Sequence, residues 1–136
     1  MSPRVLFLCV GNAGRSQMAA AFARTLGGDA IEVFSGGSNP AARLDPAAVT
    51  VLEEIGLDMS REIPRPWTDE IIRGADVVIT MGCGDECPVF PGVRYEDWEV
   101  GDPVGLPVEA VRPIRDEIRR RVEALLGSLE ATSSDY

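Results

Sequence analysis

The 136-residue chain contains neither histidine nor lysine. Without histidine, Ser–His and Cys–His catalysis are excluded, and the commonest metal ligand of proteins is missing. Every one of the 13 basic residues is arginine, and 22 acidic residues give a formal net charge of −9. Nucleic acids and anionic membrane surfaces attract clustered positive charge. We therefore expect neither of them as a partner.

Long apolar runs are also missing. No stretch approaches the roughly 20 apolar residues that cross a bilayer, and the first residues lack the apolar region and cleavage site of a secretory signal. We expect a cytoplasmic protein. The length suits one domain with a substantial core, so we predict a single catalytic domain over residues 1–130 and a flexible tail over residues 131–136.

Cysteine is scarce, with three residues in the chain. An odd number in a cytoplasmic protein favours reactive or buried thiols over a structural disulfide framework. A zinc site built on Cys83 and Cys87 would need two further ligands, and the chain has no histidine and no fourth cysteine to complete either common ligand set. We therefore predict no metal site.

The hydrophobic pattern alternates between short strand-like and longer helical stretches. It predicts strands at residues 5–10, 31–35, 76–81 and 94–100, and helices at residues 16–26, 46–55, 67–73 and within 108–129, the last starting near Pro113. This order predicts a three-layer α/β domain with a four-stranded, mostly parallel sheet flanked by helices. In such sheets ligands bind beyond the carboxyl ends of the strands, and Cys9, Cys83 and Asp102 all belong to that rim.

The first strand and first helix are joined by a C-x5-R-S loop, from Cys9 to Ser16. A loop of this length can turn its N–H groups toward one point, forming a nest for a tetrahedral oxyanion. The helix presents its positive end to the same point, and Arg15 adds a planar, bidentate donor. We expect Gly11 and Gly14 to allow the unusual backbone angles and the close approach that this curling requires. The predicted oxyanion-binding residues are Val10, Gly11, Asn12, Ala13, Gly14, Arg15 and Ser16.

Cys9 is the candidate nucleophile, because the nest, the helix end and the guanidinium all favour its thiolate form. Ser16 can donate a hydrogen bond to that sulfur, and Asn12, which tolerates left-handed backbone, can brace the loop. The alternative is a buried core cysteine followed by an ordinary glycine turn. The position between a strong strand and a strong helix favours the functional interpretation.

The stretch VLFLCVGNAGRSQMAAAFA resembles the opening of the low-molecular-weight protein tyrosine phosphatase superfamily. Asn12 and the Ser16-Gln17-Met18-Ala19 variant resemble its bacterial arsenate reductases in particular. The resemblance extends over nearly the whole chain, through the SGG segment, the VVIT strand, the Cys-Pro step, the EDW and DP pairs and the final helix. It implies the phosphotyrosine phosphatase I-like fold.

The resemblance also implies a general acid. An Asp-Pro pair by itself is usually a turn, but the family match assigns Asp102 to protonate the oxygen that leaves, with Pro103 limiting where it points. Glu96, Asp97 and Glu99 are nearby acidic alternatives. Some relatives bind potassium through an acidic residue early in the first helix. Residues 18–21 are Met-Ala-Ala-Ala here, so we do not carry that site over.

Cys83 and Cys87 favour arsenate reduction over phosphate hydrolysis, since reduction removes two electrons from thiols and a full cycle needs more sulfur than Cys9 supplies. We predict that Cys83 attacks Cys9 and expels arsenite, and that Cys87 then attacks Cys83. This scheme needs no cofactor but does need an external reductant, thioredoxin or a low-molecular-weight thiol. Phosphate and sulfate would compete with arsenate.

Two details of the scheme and two alternative functions stay open. The C-x3-C spacing is more compact than is usual in thioredoxin-coupled members of the family, so the order of attack and the electron donor are undetermined. The main alternative function is a tyrosine or small-molecule phosphatase using Cys9, Arg15 and Asp102. A redox-sensing or anion-binding protein without turnover would keep the loop but would not need Asp102.

Overall fold

The computed structural model describes residues 2–82 and 89–133, with side chains described through residue 129. These described residues form four strands, four α-helices and one short 3-10 helix. They are β1 (Arg4–Cys9), α1 (Arg15–Gly27), the 3-10 helix (Gly28–Ala30), β2 (Glu32–Gly37), α2 (Pro46–Glu53), α3 (Asp69–Arg73), β3 (Val77–Thr80), β4 (Arg94–Asp97) and α4 (Val108–Ser133).

The four strands form one parallel sheet in the order β2-β1-β3-β4. Strand β1 is central and, apart from Arg4, fully buried, as expected of a strand that is covered on both faces. Its last residue, Cys9, lies opposite Gly37 at the end of β2. The predicted four-stranded parallel sheet is confirmed.

Both faces of the sheet are covered. Val5 and Phe7 of β1 belong to the large core cluster that includes buried residues of α1, α2 and α4. The alternate residues Leu6 and Leu8 belong to a smaller cluster on the other face, with Ile72 of α3. Because successive strand residues point to opposite faces, the apolar run of β1 contributes to both layers. The predicted three-layer α/β domain is confirmed.

The last helix begins earlier than predicted. It starts at Val108 and contains Pro113, which was expected to mark its first turn. The turn before Pro113 is held by hydrogen bonds from Ala110 N and Val111 N to the Pro107 carbonyl. Val111 is fully buried in the main core. Packing of this early turn offsets the intrahelical hydrogen bond that the proline cannot donate.

The same helix also ends later than predicted. It continues to Ser133, so the boundary placed at residue 131 falls inside a helix and not at the start of a tail. Residues 134–136 lie outside the described part of the chain. No helix within residues 2–82 and 89–133 is long and apolar enough to cross a membrane.

Candidate functional site

Cys9 lies at the carboxyl end of β1, one residue before the predicted oxyanion loop. Its side chain is buried, with 3% of the residue exposed. Its Sγ lies 2.8 Å from Ser16 Oγ, in the first turn of α1. The strand and the helix therefore bring the two predicted residues into direct contact, as the C-x5-R-S spacing required.

A buried hydrogen-bond network holds Ser16 Oγ in that contact. Asn12 Nδ2 donates to Ser16 Oγ at 2.8 Å, and Asn12 Oδ1 accepts from Gln17 Nε2 at 3.1 Å and from the Arg65 N–H at 3.0 Å. Since Ser16 Oγ already accepts one hydrogen bond, its own proton is free to donate to Cys9 Sγ. Such a donor stabilises the thiolate, which is the nucleophilic form of cysteine.

The N–H groups and the carbonyls of the loop backbone differ in their hydrogen bonding. The N–H groups of residues 11–16 donate to no acceptor within the described residues. The carbonyls, by contrast, are used: those of Cys9, Val10, Gly11 and Ala13 accept from Ser38 N, Asn39 N, Ala41 N and Asp45 N. Consecutive unpaired N–H groups at the start of a helix are what an anion-binding nest consists of.

Asn12, and not a glycine, supplies the left-handed backbone of the loop, with φ of 50°. Gly11 and Gly14 do not have positive φ, but Gly14 has the unusual backbone angles that were predicted for it, with φ of −130° and ψ of −83°. Gly14 has another role, because a Cβ there would lie 2.7 Å from Pro103 Cγ. A glycine is needed at that position for close packing between the oxyanion loop and the predicted acid loop.

Arg15 is the first residue of α1, and 13% of its side chain is exposed. Its Nη2 lies 3.6 Å from Asp102 Oδ2. Asp102 Oδ1 accepts from the Val104 N–H at 3.1 Å, and the following Pro103 is buried. One carboxylate oxygen of Asp102 thus stabilises the turn that follows it, while the other faces the guanidinium of Arg15. Asp102 therefore lies beside the oxyanion loop.

The three alternative acids have other positions. Glu96 pairs with Arg94 and accepts from Trp98 Nε1, and Asp97 accepts from Thr80 Oγ1 at 2.7 Å. Asp97 and Glu99 line a cavity of about 400 Å³ beside Arg15, but only Asp102 is in ion-pair distance of Arg15 among the described carboxylates. The geometry favours Asp102 as the acid.

Asp45 is a site residue that the sequence analysis missed. Its N–H donates a hydrogen bond to the Ala13 carbonyl. Its Oδ1 caps α2 by accepting a hydrogen bond from the Ala47 N–H, and its Oδ2 is buried without a partner in the described part of the chain. Burial raises the pKa of this carboxyl; the Ala47 hydrogen bond opposes the rise and the charge of Asp102 adds to it. Asp45-Pro46 repeats the Asp-Pro pattern of the acid loop, and that was the available signal.

Cys83 and Cys87 lie outside the described residues, so their predicted roles stay predictions. The same holds for the absence of a metal site. Within residues 2–82 and 89–133, no group of three or more metal-binding side chains is close enough to hold an ion.

The chain matches known proteins over most of its length. Residues 4–135 match the family described as low molecular weight phosphotyrosine protein phosphatase. A glutaredoxin arsenate reductase of Synechocystis is 38% identical over 129 residues, covering 93% of this chain and 98% of the relative. An arsenate reductase of Staphylococcus epidermidis is 35% identical over 124 residues, covering 88% and 93%.

Among solved structures, a thioredoxin-dependent arsenate reductase of Corynebacterium glutamicum superposes with a TM-score of 0.83 at 43% identity. The match covers 96% of this chain and 63% of that longer chain. Family match, relatives and superposition agree with the resemblance seen in the sequence. The chain belongs to the low-molecular-weight phosphotyrosine protein phosphatase family.

Proposed function

We propose that this protein is an arsenate reductase that uses Cys9 as its nucleophile and binds arsenate in the loop of residues 10–16. The observation that carries the proposal is the loop backbone. The N–H groups of residues 11–16 are unpaired among the described residues, while the carbonyls of Val10, Gly11, Ala13 and Gly14 accept hydrogen bonds. A tetrahedral oxyanion fits such a nest, and Arg15 adds two donors and a positive charge. The named relatives that share the fold support arsenate over phosphate as the substrate.

The first step forms a bond between Cys9 Sγ and arsenic. The thiolate attacks As(V), Asp102 donates a proton to the hydroxyl oxygen of hydrogen arsenate, and that oxygen leaves as water. Arg15 and the loop N–H groups hold the remaining oxygens. Ser16 stabilises the thiolate before attack, through the 2.8 Å contact with Cys9.

The second step reduces arsenic. Cys83 attacks Cys9 Sγ, the electron pair of the S–As bond stays on arsenic, and arsenite leaves as a Cys9–Cys83 disulfide forms. Cys87 then attacks Cys83, which frees Cys9 and leaves a Cys83–Cys87 disulfide. Two thiols are oxidised for each As(V) reduced to As(III). An external reductant must reduce the final disulfide. We propose thioredoxin or a low-molecular-weight thiol system.

Free thiols are also the basis for placing the protein in the cytoplasm. The cycle needs all three cysteines reduced at its start, and the cytoplasm keeps protein thiols in that state. Phosphate and sulfate, which share the tetrahedral shape of arsenate, are expected to compete for the loop.

A phosphatase activity is the second candidate function of the same site. Cys9, Arg15 and Asp102 supply the nucleophile, the oxyanion donor and the acid of phosphate ester hydrolysis, and that chemistry needs neither of the other cysteines. The family to which the chain belongs carries a phosphatase name. We expect it as a side activity of the reductase.

The experiment that separates the two functions compares Cys83→Ser and Cys87→Ser with the wild type. Both variants should lose multiple-turnover arsenate reduction with a dithiol reductant, yet keep hydrolysis of an aryl phosphate, because only the relay needs the second and third thiols. Cys9→Ser should lose both activities. Full reductase turnover in both of the relay variants would contradict the proposal.

A further inference from the structure

Gly82 combines two properties that no other glycine of the described chain combines. Its φ is +82°, a left-handed angle, and a Cβ built on it would lie 2.5 Å from Arg15 Nη1. The other positive-φ glycines, Gly28, Gly56, Gly92 and Gly105, have nothing within 4 Å of a Cβ. At those four positions glycine serves the backbone angle, whereas at Gly82 it also makes room for the guanidinium.

The contact involves three heavy atoms of the guanidinium group. The same Cβ would lie 3.0 Å from Arg15 Cζ and 3.1 Å from Nη2, in addition to its contact with Nη1. Real Cβ atoms essentially never approach other heavy atoms below 3.0 Å. The guanidinium therefore lies against the bare Cα of Gly82, where any other residue would displace it.

The chain directly before Gly82 is held in the core, whereas the guanidinium is the far end of a flexible side chain. Met81, directly before Gly82, is fully buried, and its N–H bonds Leu8 O of the central strand at 2.8 Å. Arg15 is anchored in the first turn of α1, is mostly buried, and has Asp102 on its other side. A side chain at position 82 would thus push the guanidinium, not the backbone behind it.

From this arrangement we infer that Gly82 is a positioning residue of the oxyanion site, which sets where the Arg15 guanidinium lies over the loop. Arg15 holds oxyanions as a planar, two-pronged donor, so its affinity depends on where its plane lies. The inference builds on the proposed function but concerns anion binding alone, and inorganic phosphate is a sufficient probe. A wild type that binds phosphate but does not reduce arsenate would refute the proposed function and leave this inference intact.

The test is the binding of inorganic phosphate to the reduced full-length protein by calorimetry. Gly82→Ala should weaken binding by at least about tenfold, since the guanidinium loses its bidentate geometry. Gly92→Ala is the matched control: its φ of +85° imposes the same backbone strain, but its Cβ meets open space. It should leave phosphate affinity within about twofold of the wild type.

A double-mutant cycle with Arg15→Lys shows whether the effect passes through the guanidinium. When Arg15→Lys is already present, Gly82→Ala should change phosphate binding little, because an ammonium lacks the atoms that the Cβ would strike. Equal losses of affinity in both backgrounds, or wild-type affinity in Gly82→Ala, would overturn the inference.

The same variants also test the inference if Gly82→Ala does not fold. Should Gly82→Ala alone fail to fold, the double variant Gly82→Ala with Arg15→Lys is expected to fold, with a melting temperature near that of Gly92→Ala combined with Arg15→Lys. A double variant that stays unfolded while its Gly92 counterpart folds would equally refute a role through Arg15.

Discussion

Among single residues, Asp45 carries a carboxylate oxygen that is buried and has no hydrogen-bond donor within the described residues. Burial raises the pKa of this group, more than the Ala47 hydrogen bond lowers it, and the Asp102 charge adds to the rise. The folded protein therefore binds the Asp45 proton more tightly than the unfolded chain does. Its negative charge opposes folding at neutral pH.

This predicts a pH-dependent effect of Asp45→Asn. Asparagine is an equally good N-cap for α2, so the substitution removes the charge and keeps the cap. As the pH rises from the unfolded pKa of Asp45 through its folded pKa, the wild type should lose stability relative to the variant. Urea unfolding of both proteins from acid to neutral pH measures the difference. A wild type that gains on the variant as the pH rises would contradict the assignment.

The residues of the oxyanion loop differ in how far their roles could be predicted. Cys9, Arg15 and Ser16 were predictable because their spacing follows from the length of a turn between a strand and a helix. The role of Gly14 was not, since it depends on Pro103, which lies far away in the sequence. The contact of Gly82 with Arg15 could not be predicted for the same reason. Contacts between distant loops leave no local pattern to recognise.

At the scale of elements, α2 and α4 are joined by a partly buried arginine. Arg115 of α4, with 11% of its side chain exposed, donates from Nη1 to Val51 O at 2.9 Å and pairs with Glu54 Oε1 at 3.1 Å. The last turn of a helix has carbonyls without intrahelical donors, and Val51 lies near the end of α2. Arg115 satisfies one of them while its charge suits that helix end.

We predict that Arg115→Leu destabilises the fold by about 1–3 kcal/mol, the cost of leaving buried polar groups unpaired. Arg120→Leu, on the same helix but with 67% of its side chain exposed, should change stability by less than about 1 kcal/mol, as is usual for a surface ion pair. Urea unfolding distinguishes the two. Equal losses would show that Arg115 acts only as a surface charge.

Elements were predictable where burial is periodic and less so at their ends. Strand β1 was evident from an apolar run, and the buried face of α4 from Val111, Ile118 and Val122. The start of α4 was misplaced because proline marks a first turn only when packing does not extend the helix behind it. Such packing is a property of the folded core, which local propensity does not contain.

At the scale of the whole molecule, an acidic protein must attract a doubly charged anion. Among the described residues, four exposed arginines of the 13 in the chain form no ion pair: Arg43, Arg61, Arg65 and Arg73. Two of them belong to segments that hydrogen-bond the oxyanion loop. Arg43 lies between Ala41 and Asp45, whose N–H groups donate to loop carbonyls, and the Arg65 N–H donates to Asn12 Oδ1. Local positive charge can thereby offset the unfavourable overall field.

Reversing both charges tests this effect. Arg43→Glu combined with Arg65→Glu should lower kcat/KM for arsenate by about three- to tenfold at low ionic strength, and the loss should shrink as salt screens the charges. Arg119→Glu combined with Arg120→Glu makes the same change in net charge on α4 and should have little effect. Equal losses in both double variants, or a loss insensitive to salt, would refute local attraction.

The account as a whole depends on a reactive Cys9 inside a loop that binds oxyanions. The most direct measurement is the rate at which iodoacetate modifies Cys9 in the reduced protein, followed by peptide mass spectrometry with and without phosphate. We predict that Cys9 is alkylated and that phosphate, by occupying the loop around its sulfur, protects it in a saturable manner. A Cys9 that is not alkylated, or whose rate of alkylation is indifferent to phosphate, would contradict the central claim.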